Sequence, residues 1–129
     1  MRTGSFLRRE DGQAAAEMAL VLPILAGILL AIAQFGIVFN NYIALTDAAR
    51  AGARKGAVSR QTSDPTGACV TAIQNSSGLD KTKLGATCSS SWQRAADVTA
   101  TATYPYSISL LGFVVKSGTL TSTTTERVE

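Results

Sequence analysis

The chain has 129 residues, a hydrophobic content of 46% and a formal net charge of +3 at pH 7. This length allows one small core beside one apolar segment. With no histidine and two cysteines, an enzyme, a metal site and a cofactor are not expected. Seven of the twelve basic residues fall in two clusters, one before and one after the apolar run. Neither cluster alternates with aromatic residues, which argues against nucleic-acid binding. Low aromatic content and the lack of a polar pocket pattern argue against a small-molecule substrate.

Residues 1–11 are charged and poor in apolar surface, so they are not expected to hold structure. The apolar run 18–39 follows, with Gln34 as its one polar side chain. As a helix the run would be about 33 Å long, enough to cross a hydrocarbon core of about 30 Å. The alternative is a buried helix of a soluble protein, but the rest of the chain is too polar to surround it.

The helical pattern continues beyond the apolar run and predicts one rod over residues 13–57. Small residues recur along one side of its outer half, at Ala48, Gly52 and Gly56. Small residues allow another element to approach closely. Packing of the chain's own C-terminal part on this face is the favoured explanation, and a dedicated docking site is the alternative.

A short helix is predicted over residues 66–76, with Thr66 as its N-cap and Gly78 just past its end. Cys69 lies in this helix, and Cys88 follows in the polar half of the chain. An even pair of cysteines in an exported domain favours a disulfide, although two unrelated thiols remain the alternative. The link would close a loop of about 20 residues, worth about 3 kcal/mol in the chain-entropy model.

Alternation of apolar and polar residues predicts a strand over residues 97–104, and β-branched residues predict a second over 119–128. A third strand is considered over 84–88. The connection 104–115 has more apolar surface than a loop needs; closure of the core is favoured over an exposed patch for a partner or the membrane surface. The predicted class is α+β, with residues 58–129 as a small domain.

The acidic residue at the start of the apolar run requires an explanation. A carboxylate at the edge of hydrocarbon is costly unless it is solvated, paired or neutralised. In the simplest explanation, Glu17 lies at the level of the lipid headgroups, one residue outside the run. The neighbouring residues favour a functional role instead.

A basic leader, then Gly12, four residues, Glu17 and an apolar helix resemble the processing motif of type IV prepilins. Three motifs narrow the match: Gln-Ala-Ala-Ala-Glu-Met-Ala-Leu-Val-Leu-Pro at 13–23, Gln-Phe-Gly at 34–36 and Ala-Ala-Arg-Ala-Gly-Ala-Arg at 48–54. They resemble the TadE-like family, pilin-like proteins of the tight adherence (Flp, type IVb) pilus system. The resemblance is strongest over residues 9–57 and extends weakly to the tail 123–129.

The resemblance implies a leader 1–12 that a prepilin peptidase removes between Gly12 and Gln13. Glu17 would then neutralise the new amino terminus of a neighbouring subunit, and such a pair gives register more surely than net stability. Two residues depart from the family pattern. Met18 stands where an aromatic residue is common, and Gln34 replaces a common acid, so Gln34 would act in subunit assembly by hydrogen bonding alone.

The implied function is that of a minor pilin or pseudopilin without catalysis of its own. Its partners would be the lipid bilayer, the prepilin peptidase, other pilins and the pilus assembly platform. It would lie in the bacterial plasma membrane as a single-pass protein and could be incorporated in the pilus. The basic residues on the two sides of the span do not favour a cytoplasmic N-terminus, but the processing site and the paired cysteines do.

Two other readings of the N-terminal segment remain open. Ala31-Ile32-Ala33 is an acceptable signal peptidase site, and cleavage after Ala33 would release a secreted domain. The apolar run is, however, longer than the core of an ordinary signal peptide. The second alternative is a single-pass anchor that is neither cut nor assembled and carries an exported binding domain.

Overall fold

The computed structural model describes residues 7–129, and the side chains of residues 12–129. Two helices precede three strands: α1 (Leu7–Val58), α2 (Pro65–Ser76), β1 (Gly85–Ser89), β2 (Asp97–Leu110) and β3 (Phe113–Arg127). The strands form one antiparallel sheet in the order β1-β2-β3. The predicted α+β class, with a long apolar N-terminal helix, a short helix and a small antiparallel sheet, is confirmed.

Helix α1 has 52 residues and is continuous through Pro23. It begins at Leu7, within the segment expected to lack structure, because Leu, Arg and Glu favour helix and lead directly into the apolar run. The part of the predicted leader at residues 1–6 lies outside the described residues. At its other end, α1 finishes at Val58, where Ser59 donates its backbone N–H to the carbonyl of Gly56 at 3.0 Å.

Helix α2 starts at Pro65, one residue earlier than predicted, and its N-cap is Asp64 instead of Thr66. The Asp64 carboxylate accepts the backbone N–H of Gly67 at 2.8 Å, and Pro65 occupies the first turn. Proline suits this position because its missing N–H would have no partner there. Gly78 follows the helix with a φ of +63°, the left-handed conformation common just after a helix end.

The turn between α2 and β1 is organised by Asp80. Its Oδ1 accepts hydrogen bonds from the Thr82 hydroxyl at 2.8 Å and the Thr82 backbone N–H at 3.0 Å. These two hydrogen bonds hold the pKa of the Asp80 carboxyl below its ordinary value, and the bond from the Thr82 hydroxyl has the larger effect. The turn sends the chain into β1 beside α2.

Strands β2 and β3 are longer than predicted and form one hairpin. They pair from Asp97 and Arg127 at one end to Leu110 and Phe113 at the other, so the supposed connection is mostly strand. The turn consists of Leu111 and Gly112, both with positive φ, as a two-residue hairpin turn requires. A register shift follows Ile108.

The core lies between one face of α1, helix α2 and one face of the sheet. The even-numbered residues Val98, Ala100 and Ala102 are fully buried, as the predicted alternation requires. The odd-numbered threonines are on the opposite face, where Thr99 pairs with Thr125 and Thr101 with Thr123 through their hydroxyls at 3.3 and 3.1 Å. The remaining buried residues of this cluster are Leu45, Ala48, Ala49, Ala53, Cys69, Ile73, Leu84 and Val128.

Candidate assembly interface

The residues of the predicted processing and assembly motif lie together on the first described turns of α1. Gly12, Gln13 and Glu17 are exposed, and the Gln13 side-chain amide donates a hydrogen bond from Nε2 to Glu17 Oε1 at 3.1 Å. The contact exists because residues four apart meet on one face of a helix. Gln13, the residue directly after Gly12, is therefore one helical turn from Glu17 on the same face of the helix.

Downstream of Glu17, the helix presents a largely exposed apolar surface, and no residue of its most hydrophobic 18-residue window is fully buried. That window has a mean hydropathy of 2.4 and is 0% buried. A buried core helix would be covered, so this helix is consistent with a single-pass membrane anchor. Its large side chains are exposed along its length, among them Leu20, Ile24, Ile28, Ile32, Phe35 and Phe39.

Gln34 lies on a less exposed side of α1 than its large apolar side chains. It is half-buried, as are Ala31 and Val38, and these three are spaced three and four apart on one helix face. Ala31 and Val38 line a groove shared with the β2–β3 hairpin. The Gln34 position therefore faces the chain's own hairpin, a location that the apolar run did not predict.

The face of small residues is covered by the chain's own elements. Ala48 is fully buried. A Cβ added at Gly52 would overlap Ile73 of α2, and one added at Gly56 would lie 2.9 Å from Val98 Cγ1 of β2. Small residues are thus required here because α2 and the sheet approach the helix backbone closely.

Cys69 and Cys88 are joined as a disulfide that links α2 to β1, with a Cα–Cα distance of 6.3 Å. Cys69 is completely buried in the core. Neither cysteine is therefore available as a nucleophile or metal ligand. Over the described part of the chain, no group of three potential metal ligands comes together.

The groove between α1 and the hairpin was missed by sequence reasoning. It has a volume of about 440 Å³ and includes Phe35 and Val38 of the helix and Tyr106 and Ile108 of β2 among its lining residues. A signal for it exists, since every even-numbered residue from 98 to 110 is apolar or aromatic. Pro105 interrupted the prediction, but a proline is tolerated where a strand has a single partner, as β2 has beyond Thr103.

The preference for closure of the core by residues 104–115 is wrong at the end of the hairpin. Ile108 is buried, but Leu111 is 82% and Phe113 78% exposed, and Val114 and Val115 are also exposed. The cause is geometric: the core is built around residues 45–53 of α1, whereas the turn extends far beyond them.

Residues 12–54 match a family model described as TadE-like protein. The match agrees with the resemblance to the TadE-like family that the three motifs suggested. It covers the segment from Gly12 to the small-residue face of α1. No curated protein and no solved structure matches the chain.

Proposed function

From the match of residues 12–54 to the TadE-like family model, we propose that this chain is a minor pilin or pseudopilin of a tight adherence pilus system. In this role it is cut after Gly12 by a prepilin peptidase and joins other pilins and the assembly platform through α1. It has no catalysis of its own. The observation that carries the proposal is the position of Gly12 and Glu17 directly before a largely exposed apolar helix segment, inside the matched residues.

The geometry of the first turns supports a role for Glu17 after cleavage. Removal of residues 1–12 would create an amino group on Gln13, one turn from Glu17 on the same helix face. In a bundle of such helices, a carboxylate and an amino group that both leave water are better paired than alone. Pairing between neighbouring chains would fix the axial register of one helix against the next.

The proposed topology has the N-terminus in the cytoplasm and residues 58–129 outside. The disulfide between Cys69 and Cys88 supports this orientation, because disulfides persist in oxidising compartments. The family match also extends on both sides of Ala33. This continuity favours retention of the whole helix over release of a secreted domain that starts at Gln34.

The mature N-terminus tests the proposal. The full chain would be expressed in a bacterial membrane together with the prepilin peptidase of a Tad system, and its intact mass measured. We expect a chain that begins at Gln13, and a full-length chain for Gly12→Val, in which a branched side chain occupies the position before the cut. A mature chain that begins at Gln34 would identify a secreted domain. Retention of Met1 beside an active peptidase would identify a simple anchor, and either result rejects the proposal.

A further inference from the structure

The end of the β2–β3 hairpin is an apolar surface that the fold leaves uncovered. We define the hairpin tip as residues 111–115, which include Leu111, Phe113, Val114 and Val115. All four are more than 60% exposed, and the tip has no charged residue. A contiguous exposed apolar surface of this kind marks a contact with another molecule or with a membrane.

The hairpin runs back along α1 toward the proposed membrane span. At one end Val98 contacts the helix at Gly56. At the other, Leu110 shares a groove with Ala31 and Phe35. Since α1 rises about 1.5 Å per residue, Ala31 is about 12 Å inside the outer end of the apolar run, and the tip is at that level.

Backbone hydrogen bonding limits how deeply the hairpin can enter the membrane. Beyond Thr103, β2 pairs with β3 alone, so both outer edges of the hairpin have unpaired backbone groups. Such edges are not tolerated in hydrocarbon. The outer limit of the hydrocarbon therefore lies near Gln34, the first polar side chain after the apolar run begins. The apolar segment from residue 18 to 33 would then cross about 24 Å, a shorter span that a bilayer accommodates by local thinning, with Glu17 at its inner edge.

We propose that the hairpin tip is a second membrane contact, which enters the boundary between headgroups and acyl chains on the side of the C-terminal domain. The occupant of this surface is the lipid bilayer that surrounds the chain's own helix. Phe35 of α1 is 62% exposed and lines the groove between the helix and the hairpin, so the apolar surface of the tip continues onto the helix. Because the helix already holds the tip at the membrane, the second contact does not require a new association step.

Residues beside the tip match the chemistry of the membrane interface. Tyr106 and Lys116 line the groove just behind the tip, at the level where headgroups would begin. Tyrosine places its ring in the apolar region and its hydroxyl in water. Lysine extends its ammonium group to lipid phosphates while its methylene groups cover apolar surface. The apolar side chains of the hairpin tip, followed along the strands by Tyr106 and Lys116, are the combination typical of a membrane-interface segment.

Quenching by brominated lipid tests this contact directly. The full chain, with Trp92→Phe to remove its single tryptophan, would carry Phe113→Trp and be placed one chain per nanodisc in phosphatidylcholine and phosphatidylglycerol. Bromine atoms on acyl carbons near the headgroups quench tryptophan by contact. We expect loss of most emission from the tryptophan introduced at position 113. The matched variant Thr125→Trp, exposed at the opposite end of β3, should keep its emission.

Two controls keep the outcome unambiguous. Formation of the disulfide and the far-ultraviolet circular dichroism spectrum report whether each variant folds. If Trp92→Phe fails this check, Trp92 is retained and the quenching of Phe113→Trp is read as the difference from the parent chain. Unquenched emission at position 113 in single-chain discs overturns the proposal. The proposal is also overturned if the emission of the tryptophan at position 113 changes only in discs that hold two chains, because the tip would then contact a second copy.

Discussion

At the scale of single residues, Glu17 can be changed without cost to the core. Its side chain is exposed and its hydrogen bond to Gln13 is on the helix surface. We therefore expect Glu17→Ala to insert into the membrane normally and to reduce incorporation into the pilus strongly, because the amino terminus of a neighbouring chain loses its partner. Membrane fractionation and the amount of the chain in sheared pili measure the two effects.

Gln13→Ala provides the matched control for Glu17→Ala. It removes the 3.1 Å hydrogen bond but keeps both the carboxylate and the amino group produced by cleavage. Incorporation should persist in Gln13→Ala, provided that its mass shows correct processing, and it should be lost in Glu17→Gln, which keeps the size of the side chain but not its charge. Equal incorporation of the Glu17 variants and the parent chain would remove this residue from the assembly mechanism.

At the scale of elements, the packing of α1 against α2 depends on Gly52. An added Cβ would overlap Ile73 and lie 3.2 Å from the carbonyl oxygen of Cys69. The carbonyl belongs to the backbone of α2 and cannot rotate away, so the two helices must separate. We expect Gly52→Ala to lower the free energy of unfolding by about 1–3 kcal/mol, the usual range for an overpacked core. Chemical denaturation of the full chain in detergent measures the change.

Gly36→Ala is the control on the same helix. A Cβ at Gly36 has nothing within 4 Å, and alanine favours helix over glycine by about 1 kcal/mol. Gly36→Ala should therefore leave stability unchanged or raise it. If Gly36→Ala and Gly52→Ala change the free energy of unfolding equally, the close approach of α2 is not the reason that position 52 needs a small residue.

The sequence predicts the elements whose pattern is local. Residues 97–104 alternate strictly, and their even-numbered side chains are indeed in the core; the apolar run 18–39 has a length that fits a membrane-spanning helix. The position of the hairpin turn could not be predicted from the local sequence pattern. Leu111 and Gly112 lack the Asn-Gly or Asp-Gly signal of a two-residue turn, so the strands were predicted to stop early and the apolar residues between them to fold back.

The candidate site divides in the same way. The Gly12 and Glu17 motif is read from spacing alone, and its residues meet because four residues make about one helical turn. The half-buried position of Gln34 and the groove around Ala31 depend on an element more than 70 residues further along the chain. Periodicity within one helix identifies a face, but it cannot identify which distant strand covers it.

At the scale of the whole molecule, the helix and the hairpin form an elongated two-layer structure. From Val98 to Leu110, β2 extends about 40 Å, and from Gly56 back to Ala31, α1 extends about 38 Å. This match brings the hairpin alongside the helix over nearly its full length. The core around Leu45, Cys69 and Val98 occupies only the end farther from the apolar run 18–39, so the structure depends on a small buried region.

The disulfide is therefore expected to govern the stability of residues 58–129 without affecting the anchor. It links α2 to β1, two elements that pack on α1 and β2 through small surfaces. Replacement of both cysteines, Cys69→Ala with Cys88→Ala, should lower the free energy of unfolding by about 3 kcal/mol, the chain-entropy value for a loop of this size. Membrane insertion of α1 should persist because its apolar surface does not depend on the disulfide.

Limited proteolysis of membranes, with and without reductant, separates the two effects. Without the disulfide, the C-terminal part should become sensitive to protease while the membrane-embedded fragment stays protected. Reduced parent chain should behave as the double variant does. Equal resistance in the presence and absence of the link would show that the core around Leu45 is sufficient by itself.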